Sequence, residues 1–166
     1  MKKVLFGLML FVSISAYAEE YPAGLRLPTK KELSKEPLRK KSSTKNAKVE
    51  GDFNGDGKLD YAFLLASVNS SKGALAVKLS KDNGYEWKIV DKTLDWNGEP
   101  MGIDLAKPDK YETACGKGYW ECGGGEPATI TLKNAGFWYS PFEKGGAVMI
   151  FWDDDKNDFQ QIIMSD

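Results

Sequence analysis

Between Gly51 and Asp60 the chain reads Gly-Asp-Phe-Asn-Gly-Asp-Gly-Lys-Leu-Asp, a D-x-N-x-D-G-x-x-D spacing. Asp52, Asn54 and Asp56 stand at alternate positions, so a tight bend can turn their oxygens toward one centre, and Gly57 permits that bend. The carbonyl of Lys58 would face the same point, and Asp60 would close the shell from the first residues of the following strand. Calcium takes about six to eight hard oxygen ligands in a flexible shell, whereas magnesium demands a tighter octahedron and keeps its waters. Carboxylates crowded into a bare loop repel one another, and a dication reverses the sign of that field. The expected cofactor is therefore one Ca2+. An EF-hand would need a bidentate Glu at the twelfth loop position, which here is Phe63, and the flanks read as strand rather than helix. The competing reading is an Asx- and Gly-rich hairpin turn that needs no metal.

Other chemistries are excluded or weak. The chain contains no histidine, which removes Ser-His and Cys-His nucleophilic sites, histidine bases and nearly all catalytic zinc sites. Nothing marks two of the 24 acidic residues as a glycosidase pair. The Ser-Lys neighbours at Ser34, Ser71 and Ser80 fall in apparent loops or helix ends, and Gly123-Gly124-Gly125 lacks the strand–helix setting of a phosphate cradle. The protein is expected not to be an enzyme. A formal net charge of −1 argues against general nucleic-acid binding. Cys115 and Cys122 read first as a disulfide; a redox pair or a metal site are the alternatives, against which stand the C-x6-C spacing and the lack of further Cys or His. Tyr119 and Trp120 lie between these cysteines in a glycine-rich loop, where they are either a contact surface for a protein or glycan or part of the core. Asp153, Asp155 and Asn157 share the alternate spacing of the first loop, but no glycine follows, so a charged hairpin tip is the better reading.

Residues Gly51 to Leu65, GDFNGDGKLDYAFLL, resemble the calcium loop and following strand of FG-GAP or VCBS-type repeats, found in integrin-like β-propellers and many secreted bacterial proteins. The resemblance implies calcium ligation by Asp52, Asn54, Asp56, the Lys58 carbonyl and Asp60. It covers about fifteen residues without a second copy, whereas a propeller needs several blades. What it implies is a local strand–loop–strand unit and its ion, not the whole fold.

The loop must be placed by the rest of a chain of 166 residues, about one domain's worth, whose 42% apolar and 12% aromatic content can fill a core. Residues 1–18 read as a secretory signal peptide: Lys2 and Lys3, the apolar run Val4 to Ile14, then Ala16-Tyr17-Ala18 before an expected cleavage. The leader looks bacterial, so the expected location is the periplasm or the medium, and no later segment is apolar enough to span a bilayer as a helix. Residues 19–48 form a basic polar lead-in with eight Lys or Arg between Thr29 and Lys48. Thr29 and Glu32 have capping-box spacing, so a short helix is expected there. The lead-in is either a solvated arm on the domain or a contact for anionic headgroups or an acidic partner.

Residues 49–166 read as a single β-rich domain. Leu75, Val77 and Leu79, then Tyr85, Trp87 and Ile89, alternate on either side of the Lys81-Asp82-Asn83-Gly84 turn and predict a hairpin with one buried face. Tyr61 to Ala66 suits a central strand, Ala128 to Leu132 and Phe137 to Tyr139 suit two more, and Ala147 to Trp152 with Phe159 to Met164 predict a second hairpin. Residues 91–127 read as a long structured connection. The expected class is α+β, predominantly antiparallel β with about six to seven strands in hairpins and a short N-terminal helix. The function this implies is a monomeric, exported, non-enzymatic binding or structural module with one structural calcium and an unknown protein or glycan partner. The alternative is a periplasmic inhibitor or immunity protein that engages a cell-wall-degrading enzyme through the Cys115–Cys122 loop.

Overall fold

A computed structural model describes residues 21–142 and 145–165; the expected leader at 1–18 lies outside the described residues. The chain opens with a two-residue strand β1 (Leu25–Arg26), the helix α1 (Lys30–Leu33) and a 3-10 turn (Pro37–Lys41). Strands β2 (Lys48–Gly51), β3 (Asp60–Ser67), β4 (Gly73–Lys81) and β5 (Gly84–Asp91) follow. Then come β6 (Met101–Ala106), β7 (Lys110–Glu112), β8 (Thr129–Thr131), β9 (Gly136–Pro141), β10 (Val148–Asp153) and β11 (Asp158–Ile163). Every pairing among them is antiparallel, as the sequence predicts.

The first sheet runs β1–β3–β4–β5, with β2 also on β3 beyond β1; the second runs β11–β10–β9–β6; β7 and β8 form a separate ribbon. The two larger sheets share one core. Ala62, Leu64, Leu75, Val77 and Leu79 from the first meet Ile103, Phe137, Ile150 and Phe159 from the second, with Phe53 among them. A smaller cluster, Ala106, Leu132, Met149 and Met164, packs with Tyr111 and Ile130 of the β7–β8 ribbon. Burial of this kind, worth about 25 cal/mol per Å² of apolar surface, is what makes the strands cohere.

Three sequence expectations change. The N-terminal helix shrinks to the four residues of α1. Its capping box forms as expected, with Glu32 N donating to Thr29 Oγ1 at 3.2 Å and Thr29 N to Glu32 Oε2 at 2.6 Å. No buried residue lies in it, so nothing rewards further turns. The lead-in lies on the domain: β1 pairs with β3, and Arg39 and Glu36 are buried. The Arg39 guanidinium donates to the carbonyls of Lys45 and Met101 and lies 4.8 Å from the Phe142 ring centre and 5.5 Å from that of Trp96.

The expected connection at 91–127 contains a full strand, β6, which closes the second sheet against β9. Gly102 and the exposed Leu105 break the alternation that would have announced it. Finally, the hairpin of β4 and β5 does not bury both of its apolar sets on one face. Its two-residue turn pairs Lys81 with Gly84 and Lys78 with Trp87. From Ala76 to Lys81, odd positions of β4 thus oppose even positions of β5, with a register shift between Leu75 and Ala76, so Leu75, Val77 and Leu79 enter the core while Tyr85, Trp87 and Ile89 face away from it.

Candidate metal centre

The D-x-N-x-D-G-x-x-D segment forms the connection from β2 to β3, with the strand–loop–strand arrangement expected of it. Two anchors fix its base. Phe53 is fully buried, its ring centre 5.2 Å from that of Phe137 and 6.4 Å from that of Phe159. Asp52 accepts at its carbonyl from Ala135 N at 3.2 Å. Beyond these anchors Gly55 and Gly57 adopt φ of 73° and 80°, the left-handed region that disfavours any side chain. A Cβ on Gly55 would also come within 2.6 Å of the Asn134 amide.

The side-chain oxygens of the loop cap its own backbone. Asp52 accepts from Gly55 N at 2.8 Å through Oδ1 and from Gly57 N at 2.9 Å through Oδ2. Asn54 Oδ1 accepts from Asp56 N at 3.2 Å, and Asp56 Oδ1 accepts from Lys58 N at 2.9 Å. These are nested Asx turns, the reason Asp and Asn suit such bends. The Lys58 ammonium lies 3.6 Å from Asp56 and 3.1 Å from Asp82.

Asp60 stands at the foot of the loop, at the start of β3, and is completely buried. Its Oδ2 accepts from Phe53 N at 3.0 Å and its Oδ1 from Ser80 N at 2.8 Å, while Ser80 Oγ donates to Leu59 O at 2.6 Å. The carboxylate thus clips the loop to the neighbouring strand β4. Burial pushes the Asp60 pKa up; the two backbone donors oppose this, and the negative charges of Asp56 and Asp52 add to it. At Asp56 burial pulls upward too, but the Lys58 N–H, the Asn54 amide and the Lys58 charge outweigh it and leave the pKa lowered.

No family model, curated protein or solved structure matches the chain. Among the described residues, no three His, Cys, Asp or Glu side chains group closely enough to hold a metal ion as they stand. Asp52, Asn54 and Asp56 share one exposed turn, and Asp60 lies behind it with both oxygens engaged. A carboxylate has about four acceptor sites on its two oxygens, so these bonds leave capacity for a cation.

The second sequence-predicted feature is a covalent staple: Cys115 and Cys122 form a disulfide with Cα atoms 5.0 Å apart. The loop is seated by Ala114 N donating to Ile163 O at 2.9 Å and by Lys117 Nζ donating to Met164 O at 2.8 Å. Within it Tyr119 is exposed, whereas Trp120 is half-buried and donates from Nε1 to Glu126 Oε2 at 3.0 Å. The Asp153–Asp158 segment forms the tip of the β10–β11 hairpin, and Asp153 Oδ1 accepts from Asp155 N at 3.0 Å.

Sequence reading missed one feature with chemical potential, the outward face of the first sheet. There Tyr61, Phe63 and Trp87 stand beside Lys48 and Lys78. The signal was the two-residue turn at Asp82-Asn83, whose parity sends the Trp87 side of β5 outward.

Proposed function

We propose that the protein is a small binding or structural module working outside the cytoplasm, without catalysis, and stabilised by one calcium ion in the loop from Asp52 to Asp60. One observation carries this reading. The buried Asp60 lies in the field of Asp52 and Asp56, and its pKa is raised by its burial and by both neighbours. A dication offsets that repulsion more fully than the half-exposed Lys58, which Asp82 shares. Calcium binding would redirect the oxygens of Asp52, Asn54 and Asp56 from their own N–H groups toward the ion, with the Lys58 carbonyl and Asp60 completing the shell. The FG-GAP or VCBS-like spacing of Gly51 to Leu65 supports the same ligand set. The intramolecular disulfide supports an oxidising compartment, and among the described residues no helix is long and apolar enough to cross a membrane.

Extracellular calcium modules bind at about 10⁻⁴–10⁻³ M, so external supply would set occupancy. At ten times Kd the ion adds about 1.4 kcal/mol to stability. For a domain of this size that is on the order of 3–6 °C in Tm. Thermal unfolding in millimolar calcium against EDTA tests it. The expected result is such a rise for the native protein and its loss in Asp56→Ala; identical melts in the two buffers would refute the reading. A second reading rests on the exposure of Tyr119 on the stapled loop. As an inhibitor of a cell-wall-degrading enzyme, the protein would retain a muramidase or amidase in a pull-down and lose it on Tyr119→Ala or Trp120→Ala.

A further inference from the structure

The outward face of the first sheet carries an ordered row of side chains. Glu50, Tyr61, Lys78 and Trp87 lie directly opposite one another across β2, β3, β4 and β5, and Lys48 and Phe63 form the next pair. Rings and ammonium groups interleave. Tyr61 and Phe63 have ring centres 6.2 Å apart, and Phe63 and Trp87 5.8 Å. Lys48 Nζ lies 4.4 Å from the Tyr61 ring centre, and Lys78 Nζ lies 3.6 Å from that of Tyr85 and 5.7 Å from that of Trp87. The lead-in does not seal this face. It raises a wall along it, with Leu27 and Leu33, and leaves a groove of about 640 Å³. That volume falls in the range typical of small-molecule sites.

The chemistry of the lining restricts the occupant. The floor is aromatic, and the wall joins Leu27 and Leu33 to the ring of Tyr21, centred 6.3 Å from that of Phe63 and 6.1 Å from that of Trp87, so the ligand needs an apolar body. Among the described residues, both charged side chains lining the groove are lysines, and no carboxylate or side-chain amide lines it. Lys48 is shared with Glu50 at 3.5 Å, while Lys78 forms no ion pair among the described residues and rests on ring faces. A neutral saccharide would leave most of its hydroxyls without partners here, because among the described residues Ser43, Thr44 and the phenols of Tyr21 and Tyr61 are the remaining polar side chains. A cationic ligand would meet two ammonium groups. We propose that this groove binds a single anionic amphiphile, a carboxylate or phosphate head on an acyl or aryl body. The body lies along Phe63, Trp87 and Leu27, and the head takes the Lys48 and Lys78 ammonium groups from their rings. The site needs no metal, and it stands apart from the calcium reading.

The test is titration of sodium dodecanoate below its micelle threshold, in EDTA, followed by calorimetry and by amide and indole NMR shifts. Dodecyltrimethylammonium and dodecyl maltoside serve as cationic and uncharged comparators. Vesicles of an anionic phospholipid distinguish a free amphiphile from a bilayer surface. The expected result is one dodecanoate per chain, with shifts centred on Phe63, Lys78 and the Trp87 indole. The Lys48→Gln/Lys78→Gln double variant should bind about tenfold more weakly or worse, while Lys81→Gln outside the groove should bind normally. Circular dichroism confirms that each variant is folded. No saturable binding, equal affinity for all three head groups, shifts centred elsewhere, an unaffected double variant, or binding to vesicles alone would each overturn the proposal.

Discussion

Replacing Asp60 probes how the loop is held. Asp60→Ala removes the acceptor of two backbone donors, Phe53 N and Ser80 N, at a residue with no exposed surface. A buried donor left unsatisfied costs about 1–3 kcal/mol, so the pair sets a range of about 2–6 kcal/mol. The native carboxylate is itself held at a cost, since burial and the Asp52 and Asp56 charges raise its pKa, which moves the expectation to the lower half of that range. Asp60→Asn keeps one acceptor and turns an amide N–H toward the other donor, so about 1–3 kcal/mol is expected. Urea unfolding in EDTA reads both values, with an unchanged m confirming that stability alone has moved. The pH dependence has a definite sign. A raised folded-state pKa favours the protonated acid in the fold, so this residue's contribution is greatest below its ordinary value of 3.8 and declines as pH rises through the folded value. The deficit of Asp60→Asn relative to the native protein should therefore shrink over that rise. An Asp60→Ala protein within 0.5 kcal/mol of native, or a deficit that grows with pH, would refute the reasoning.

Two further predictions address the periphery. Converting both Cys115 and Cys122 to Ser opens a short loop joined over a separation of 7 residues, which should cost roughly 2–3 kcal/mol in a denaturant melt while the hydrogen bonds to Ile163 and Met164 keep the fold. The Arg26 guanidinium, then the Thr29 donors, hold the Glu32 carboxyl down to about 2, against the opposing effect of burial. Its stabilising contribution is complete above the ordinary 4.5 and is lost as pH falls toward 2, so an acid titration of Glu32→Gln should show a shallower decline than the native protein over that interval.

Much of the fold was legible because its signals are local. The turn residues of 51–60 announce a bend between strands, Thr29 and Glu32 announce a helix start, and the run from Tyr61 to Ala66 announces a strand flanked on both sides. Non-local placements were not legible. The sequence places Asp60 at a strand start facing the loop, yet its Oδ1 meets a backbone N–H twenty residues away on β4. Arg39 belongs to a basic run, but it is buried because Trp96 and Phe142 offer rings and Met101 a carbonyl from distant segments. Strand β6 owes its place to β9 rather than to a pattern of its own. The outward turn of Trp87 is a matter of register, where one residue decides which face of the sheet a side chain joins.

Where calcium acts on the chain tests the proposed function most directly. Amide NMR spectra recorded during a calcium titration report each loop N–H separately. Gly55 and Gly57 donate to the two Asp52 oxygens, and Lys58 donates to Asp56, so these three amides should move first and furthest, saturating together at one ion per chain. Unmoved loop amides at millimolar calcium, or shifts confined to the Asp153–Asp158 tip, would contradict it.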